Sequence, residues 1–123
     1  MVTCLWGINR YDPKTGKGAW GAAFTGTAVT SPSPYKSSNA TARAKLEKIL
    51  ATSNPALKWV EATYRGYYML TMNYESIQAD YWGVEEITTR NDKQIQLARF
   101  KINHGDNHLS RPFNVTAGGS QDI

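Results

Sequence analysis

The chain has 123 residues, enough for one hydrophobic core, because a compact chain of this size buries roughly two-thirds of its unfolded surface. Its formal net charge of +4 is spread along the sequence without a block of like charges, and its aromatic residues lie within apolar runs. This distribution argues against a nucleic-acid-binding surface, and no stretch approaches the roughly 20 apolar residues of a membrane span.

A loop and a strand are the first elements that the sequence predicts. Residues 11–18 combine Asp, Pro, Lys, Thr and Gly, which is typical of a surface turn. Residues 20–29 alternate small apolar residues with threonine, which favours a strand. The segment 31–38 contains Pro32 and Pro34, which exclude both a helix and a regular strand ladder. The strand therefore ends in an extended loop.

A short helix follows this loop. Asn39 or Ser38 can accept hydrogen bonds at its amino terminus, and Asn54 and Pro55 end it. Apolar residues recur at helical spacing and predict one buried stripe. These residues are Ala42, Leu46, Ile49 and Leu50.

The next part of the chain is rich in aromatic and β-branched residues and predicts strands. Gly66 marks a bulge or bend between the first two strands, and the short segment 73–76 makes the next connection an antiparallel hairpin. The strand at 67–72 is apolar on both faces, so we expect a layered structure that covers both. The predicted strands are 58–65, 67–72, 77–82 and 95–102.

The last part, residues 104–123, is polar and rich in glycine, and it predicts a mobile tail after an ordered part at 11–103. The content is α+β, with mostly antiparallel strands and one short helix. One short helix cannot cover both faces of such a sheet. The sequence therefore predicts a single domain, 1–123, whose fold is incomplete.

Features of processing and redox chemistry are few. Cys4 is the single cysteine, which excludes an internal disulfide and a thiolate metal cluster. The first residues lack the basic start and apolar stretch of a signal peptide, so we predict no export signal in this chain. Asn39 and Asn114 each begin an Asn-x-Thr tripeptide, the acceptor pattern for N-glycosylation.

Four separated segments resemble one protein family. They are GTAVTSPSP at 26–34, the long run NPALKWVEATYRGYYMLTMNYESIQADYWG at 54–83, ITTRN at 87–91 and LSRP at 109–112. In order and spacing they are similar to the C-terminal portion of the PhoD-type alkaline phosphatases, especially the fungal members, and the likeness spans about 11–119.

The resemblance implies a metallophosphoesterase with a four-layer α/β/β/α sandwich. In that family a bimetal centre, built with Fe and Ca or similar metals, hydrolyses phosphate mono- or diesters. The resemblance also implies that the ligands, the last in a Gly-Asp-Val-His type motif, precede the segment matching Tyr11. The ten residues ahead of Tyr11 here contain no such motif. We therefore expect that this chain binds no metal, acts on phosphate esters only if the catalytic part is supplied, and derives from a family whose members are commonly secreted or at the cell surface.

His104, Asp106 and His108 form the one local cluster that suggests a metal. Two imidazoles with a carboxylate between them can bind Zn or Fe, and residues 105–108 echo the family motif. Four-residue spacing brings two histidines to one face only in a helix, whereas Gly-Asp-Asn is typical of a turn. We interpret the cluster as a solvated turn and predict neither a metal site nor a catalytic residue.

Thr30 and Ser31 are better candidates for a place near substrate. They follow a strand that, in the resembling fold, runs toward the active site, and their hydroxyls can meet a phosphate. The alternative is that they satisfy backbone groups in a proline-rich loop. Ser31 has neither a nearby base nor the Gly-x-Ser-x-Gly setting of a nucleophile. Arg65 and Arg90 can pair with phosphate, although their strand and turn positions favour a surface role.

The sequence is compatible with three functions. The first is a C-terminal part of a PhoD-like phosphatase that is inactive alone. The second is a small binding or interaction module that kept the sheet without catalysis. The third is a small metalloenzyme built on the histidine cluster.

Overall fold

The structure is a computed structural model that describes residues 2–5, 12–31, 39–117 and 119–121. The described residues contain one helix and eight strands. These are β1 (Val2–Leu5), β2 (Gly21–Phe24), α1 (Ala40–Ser53), β3 (Leu57–Val60), β4 (Arg65–Met72), β5 (Ser76–Val84), β6 (Gln94–Asn103), β7 (Asn114–Val115) and β8 (Ser120–Gln121).

The strands form two four-stranded sheets. Sheet A has the order β2-β1-β3-β8, and sheet B has the order β4-β5-β6-β7. Every described strand pair is antiparallel. The predicted α+β class, with mostly antiparallel strands and one helix, is confirmed.

Sheet A lies between the helix and sheet B. Neighbouring residues on a strand point to opposite faces, and β3 uses both. Its Val60 packs with Ala51 of α1, whereas its Trp59 packs with Tyr81 and Phe100 of sheet B. The described residues therefore form three successive layers in the order α/β/β.

Aromatic packing joins the two sheets. Trp59 is only 1% exposed, and its ring centroid lies 5.1 Å from that of Tyr81 and 5.7 Å from that of Phe100. Tyr68 of β4 stacks on Tyr81 at 5.1 Å, and Leu97 completes the cluster from β6. Rings of this size dominate the energy of a core because each buries a large apolar area.

The helix begins where the sequence predicts, but the face that it buries differs in part from the predicted apolar stripe. The side chain of Asn39 accepts the N–H of Ala42 at 2.8 Å, and the helix ends at Ser53. The predicted stripe is wrong in part, because Ala42 and Ile49 are exposed. The buried residues are Glu47 and Ala51. Glu47 turns inward because its carboxylate accepts the buried N–H of Ala62 at 2.7 Å, which follows β3.

Two predicted strand boundaries are wrong. The first strand covers only Gly21–Phe24 of the predicted 20–29. The break after β3 falls at 61–64 rather than at Gly66, because the Glu61 carboxylate accepts the N–H of Thr63 and of Tyr64 and closes a turn there. Gly66 lies inside β4, where an added Cβ would meet the Trp82 carbonyl oxygen at 2.0 Å.

The remaining strand predictions are confirmed. The hairpin of β4 and β5 turns at 73–76, where the Asn73 N–H donates to the Ser76 carbonyl at 3.0 Å. Strand β6 covers the predicted 95–102. The proline-rich segment lies outside the described residues from 32 to 38, as does the alternative cap at Ser38.

The segment from His104 onward packs on the sheets in its described part, which corrects the prediction of a tail. Leu109 is 2% exposed and belongs to the aromatic core, where Phe113 contacts Phe100 with ring centroids 5.6 Å apart. Strand β7 pairs with β6, and β8 pairs with β3. Scattered apolar residues in a polar segment supply these contacts.

Strand β4 keeps the apolar exposure that its sequence suggested. It is an edge strand of sheet B, and Met69, Leu70 and Met72 are exposed, the last to 66%. The cover expected on both faces of this strand is not supplied by the described residues. No helix among them is long and apolar enough to cross a membrane.

Candidate functional site

The loop that carries Thr30 and Ser31 lies at one end of the sandwich. Strand β1 is antiparallel to both β2 and β3, so β2 and β3 run in the same direction. Phe24 and Trp59 both pair with Val2 and therefore lie at the same level. Two connections therefore leave sheet A at the same end of its strands. They are the loop after β2, residues 25–31, and the turn after β3, residues 61–64.

Thr30 lines a groove together with the loop after β5. This groove has a volume of about 370 Å³ and also contains Arg90 and Asn91. Thr30 and Ser31 are exposed. The structure thus brings a predicted phosphate-proximal hydroxyl and a guanidinium onto one concave surface, which we call the Thr30 groove. Its full lining is Val29, Thr30, Val84, Glu86, Ile87, Thr88, Thr89, Arg90 and Asn91.

A second concavity, which we call the aromatic cavity, lies between loop 25–31 and strand β4. Its volume is about 190 Å³, and Arg65, Trp82 and Glu61 line it. Three of its lining residues have a buried N–H without a hydrogen-bond acceptor among the described residues: Arg65 at Nε, and Trp82 and Trp59 at Nε1. The rest of its lining is Thr25, Gly26, Thr27, Tyr64, Gly66, Tyr67, Tyr81 and Leu97.

The lining of this cavity contains one charged residue of each sign, Glu61 and Arg65. The Glu61 carboxylate accepts backbone N–H groups at 2.6 and 2.9 Å, so both oxygens are used within its own turn. Burial raises the pKa of the Tyr81 phenol well above its usual range, and the nearby Tyr68 adds to the rise. Tyr81 therefore stays neutral and donates to the Thr25 carbonyl at 3.4 Å.

The histidine cluster lies at the other end of sheet B. His104 follows Asn103, which pairs with Ser76, whereas Arg65 pairs with Val84 at the opposite end of β5. The ring of His108 instead lies against Gly16, and its Nδ1 is 3.1 Å from the Leu109 carbonyl.

The described residues contain no group of three His, Cys, Asp or Glu side chains arranged to hold a metal. Asp106 is exposed in the turn and accepts from Asn103 at 3.4 Å. The side chains that are described therefore do not fit the bimetal centre that the resemblance implies, and no chemical step is derived through one.

Both glycosylation candidates are exposed. Asn39 uses its Oδ1 as the helix cap. Asn114 lies on β7 opposite Arg99, and the hydroxyl of Thr116 in the same tripeptide donates to the Gln96 carbonyl at 2.7 Å.

Sequence reasoning did not place Arg65 and Trp82 on the same face of the hairpin, although the hairpin register contained the signal. A turn at 73–76 pairs Tyr67 with Trp82 and Arg65 with Val84. Residues two positions apart across a ladder share a face and lie within reach of long side chains. Counting back from the turn would have placed Arg65 and Trp82 on one face of the hairpin, but it would not have placed the loop after β2 near them.

The fold is an α+β sandwich with two concave sites at one end. A family model described as PhoD-like phosphatase matches residues 4–81. The chain belongs to the PhoD-like phosphatase family, which confirms the resemblance. Neither a search of curated proteins nor a search of solved structures found a match.

Proposed function

We propose that this chain forms the C-terminal part of a PhoD-like hydrolase of phosphate mono- or diesters and has no hydrolytic activity alone. The observation that carries the proposal is the family match over residues 4–81, which includes loop 25–31 and the start of β4. The chain's own contribution is then to shape the end of the sandwich where the ester would lie.

The Thr30 groove is the proposed phosphate-proximal part of that surface. Thr30 and Arg90 line it together, and a guanidinium with a hydroxyl suits phosphate oxygens, which accept hydrogen bonds and carry negative charge. Ser31 adjoins it as an exposed residue. These groups would bind and orient an ester, with no role as nucleophile or base.

Hydrolysis in this class requires two metal ions, which supply an activated water and stabilise the attacking and leaving oxygens. The proposal assigns no residue of this chain to their coordination. His104 and His108 contact different parts of the structure, His104 at the turn beside Glu75 and His108 at Gly16 and Leu109. This separation supports the proposal that the chain lacks activity by itself.

The activity is tested with the purified chain. We expect no release of nitrophenol from p-nitrophenyl phosphate or bis(p-nitrophenyl) phosphate above a metal-only blank, with Fe, Ca or Zn added. Turnover that disappears in His104→Ala and His108→Ala would instead establish the small metalloenzyme. Turnover unaffected by both substitutions would also overturn the proposal, because the site would then lie elsewhere in the chain.

The Thr30 groove is tested by binding. Titration with inorganic phosphate, followed by amide chemical shifts, should perturb residues of the groove, and Arg90→Gln should abolish those shifts. Lys45→Gln removes the same charge from the exposed face of α1 and serves as the control. Equal losses in both variants would show a general charge effect and would contradict a role for Arg90.

A binding module derived from the same fold is the second candidate. One observation favours it: the aromatic cavity is a concave site of about 190 Å³ whose lining includes five aromatic residues, and ligand pockets are typically concave and lined by such side chains. A cooperative melt of a monomer that binds a ligand without turnover would support this function.

A further inference from the structure

Strand β4 presents a long edge that no other described strand uses. It has eight residues and forms one border of sheet B, whereas β7 at the other border has two. The edge strands of sheet A, β2 and β8, have four and two residues. The outer N–H and C=O groups of an edge strand can pair with a strand of another chain. Among the described strands, β4 therefore has the longest edge for such pairing.

The second half of β4 is exposed on both faces of the sheet. Tyr68 packs in the aromatic core between the sheets. Because successive residues alternate faces, Leu70 and Met72 lie on the same face as Tyr68, and Met69 lies on the other. Leu70, Met72 and Met69 are 41%, 66% and 52% exposed, and Ile77, opposite Met72 on β5, is 36% exposed. An apolar patch therefore continues from the core to the edge of β4, and such patches mark protein–protein contacts.

The charges at the two ends of β4 favour antiparallel pairing with a second copy of the chain. Residues 66–72 carry no charge. Arg65 precedes them, and Glu75 follows them in the hairpin turn, where it is exposed. Antiparallel pairing of two identical strands brings the arginine end of each strand to the glutamate end of the other, whereas parallel pairing brings like charges together. Opposite charges across a strand pair stabilise it, and like charges destabilise it.

The alternation of faces restricts the register of such a pair. When two antiparallel strands continue one sheet, residues that lie opposite each other share a face. A two-fold axis must therefore pass through a residue and not between two residues. An axis at Leu70 places this residue opposite itself and brings Arg65 level with Glu75 of the second copy. An axis at Met69 would bring Arg65 level with the neutral Asn73, so the charges favour the axis at Leu70.

The register centred on Leu70 also covers the exposed apolar patch. It places Tyr68 opposite Met72 of the second copy, on both sides of the central leucine pair and on the face toward sheet A. On the other face it places Met69 opposite Thr71. Aromatic and apolar pairs across neighbouring strands are a main source of sheet stability. The pairing therefore uses the half of β4 that is exposed in a single copy.

We infer that two copies of this chain form a dimer by antiparallel pairing of their β4 strands about a two-fold axis at Leu70. The two B sheets become one continuous sheet, and the contact closes at two copies because each copy contributes the same strand. Eight residues a side are fewer than the roughly 20–30 of a standard interface, so the dimer exchanges with the monomer. The inference goes beyond the proposed function, and no residue of β4 lines the Thr30 groove.

Sedimentation velocity tests the dimer and its axis with two charge variants. Leu70→Lys and Leu70→Glu each oppose like charges at the axis, so each alone should stay monomeric at concentrations where the unsubstituted chain dimerises. An equimolar mixture opposes unlike charges and should dimerise at least about fivefold more tightly than either variant alone. Ile49→Lys and Ile49→Glu change an exposed residue of α1 and are the matched controls. Alone or mixed, they should dimerise as the unsubstituted chain does.

Oxidative cross-linking tests the register separately. Opposite residues of an antiparallel pair lie within the roughly 4.4–6.8 Å between Cα atoms that a disulfide spans. Leu70→Cys should therefore give at least about fivefold more disulfide-linked dimer than Ile49→Cys, with the substituted peptide joined to itself in mass spectrometry. The unsubstituted chain measures any contribution from Cys4. Circular dichroism verifies folding, and the cross-link decides the question if a charge variant does not fold.

Several results would overturn the inference. These are a monomer at every concentration, open-ended assemblies larger than a dimer, a mixture of the charge variants that dimerises no better than either alone, or equal cross-linking of Leu70→Cys and Ile49→Cys. A monomer would leave the β4 edge to a strand of a different protein. The proposed function fails on another measurement, the turnover of phosphate esters by the chain, so the two failures are distinguishable.

Discussion

Asp80 is a buried carboxylate on β5 that three side chains bind. It is 4% exposed and accepts from Arg99 Nε at 2.5 Å, Gln78 Nε2 at 2.8 Å and Gln96 Nε2 at 3.1 Å. Burial by itself raises the pKa of Asp80, but the hydrogen bonds from Arg99 and Gln78 outweigh it and hold the pKa below its ordinary value. The ionised form is therefore the one that the fold stabilises.

We expect Asp80→Asn to lower the free energy of unfolding at pH 7 by about 1–3 kcal/mol, because charge-assisted hydrogen bonds are lost. The stability from a lowered pKa is present above the unfolded value of about 4 and is lost as pH falls through the folded value. Urea denaturation from pH 7 to pH 2 should show the two proteins converging in acid. The exposed Asp92→Asn variant should match the unsubstituted chain at every pH.

Glu47 is a second buried carboxyl group, and its pKa is shifted in the opposite direction to that of Asp80. It is 5% exposed, and burial raises its pKa, opposed by the hydrogen bond from the Ala62 N–H. A carboxyl whose folded pKa is raised destabilises the fold once it is ionised. Stability is therefore highest below the unfolded pKa of about 4.3 and falls as pH rises toward the folded value.

Glu47→Gln keeps an oxygen for the Ala62 N–H and removes the buried charge. We expect the variant to be more stable than the unsubstituted chain at pH 7, where the buried carboxyl would carry a charge, and no more stable near pH 4. Chemical denaturation at both pH values measures this. An equal effect of Glu75→Gln, which alters an exposed side chain, would show that net charge and not burial is responsible.

At the scale of the element, the pairing of β4 with β5 depends on Gly66. It pairs with Gly83, and an added Cβ would lie 2.0 Å from the Trp82 carbonyl oxygen, which belongs to the backbone and cannot rotate away. The strands must separate locally to admit a side chain. Gly66 is thus required because β4 and β5 approach each other closely at this position. It does not mark a break between two successive strands, as the sequence predicted.

Gly66→Ala should lower the free energy of unfolding by about 2 kcal/mol, within the range for overpacking. Hydrogen exchange of the amides of β4 and β5 should accelerate near this position. Thr71→Ala on the exposed part of the same strand is the control and should cost well under 1 kcal/mol. Equal protection factors in Gly66→Ala and the unsubstituted chain would contradict the close approach.

At the scale of the whole molecule, β4 is an edge strand of sheet B, and no other described strand pairs with its outer side. The strand is eight residues long, and beyond Arg65 it carries no charged residue and no proline. Met69, Leu70 and Met72 are exposed along it. Exposed apolar edge strands without such protection pair with other chains.

We expect the chain to associate as its concentration rises, and Met69→Lys with Met72→Lys to reduce that association. Light scattering after size-exclusion chromatography over a range of concentrations measures the effect. Thr88→Lys with Thr89→Lys adds the same charge to an exposed loop. If this control reduces association equally, charge alone and not the β4 edge governs it.

Residues that lie close together in the sequence were sufficient to predict several features of the fold. Asn39 and Asn54 fix the ends of the helix, the turn at 73–76 fixes the hairpin register, and separated segments identify the family. Each depends on residues close in sequence, whose backbone preferences and hydrogen bonds act without the rest of the fold. The α+β class followed from the same patterns.

The tertiary structure alone decided which polar groups are buried and what they meet. Glu47 faces inward because an N–H fifteen residues away needs an acceptor. Trp59 of sheet A meets Tyr81 and Phe100 of sheet B because the two sheets pack face to face. Sequence periodicity carries no information on how sheets stack, since packing is set by side-chain shape between distant segments. The sequence determined the family and the elements, and their packing determined the candidate sites.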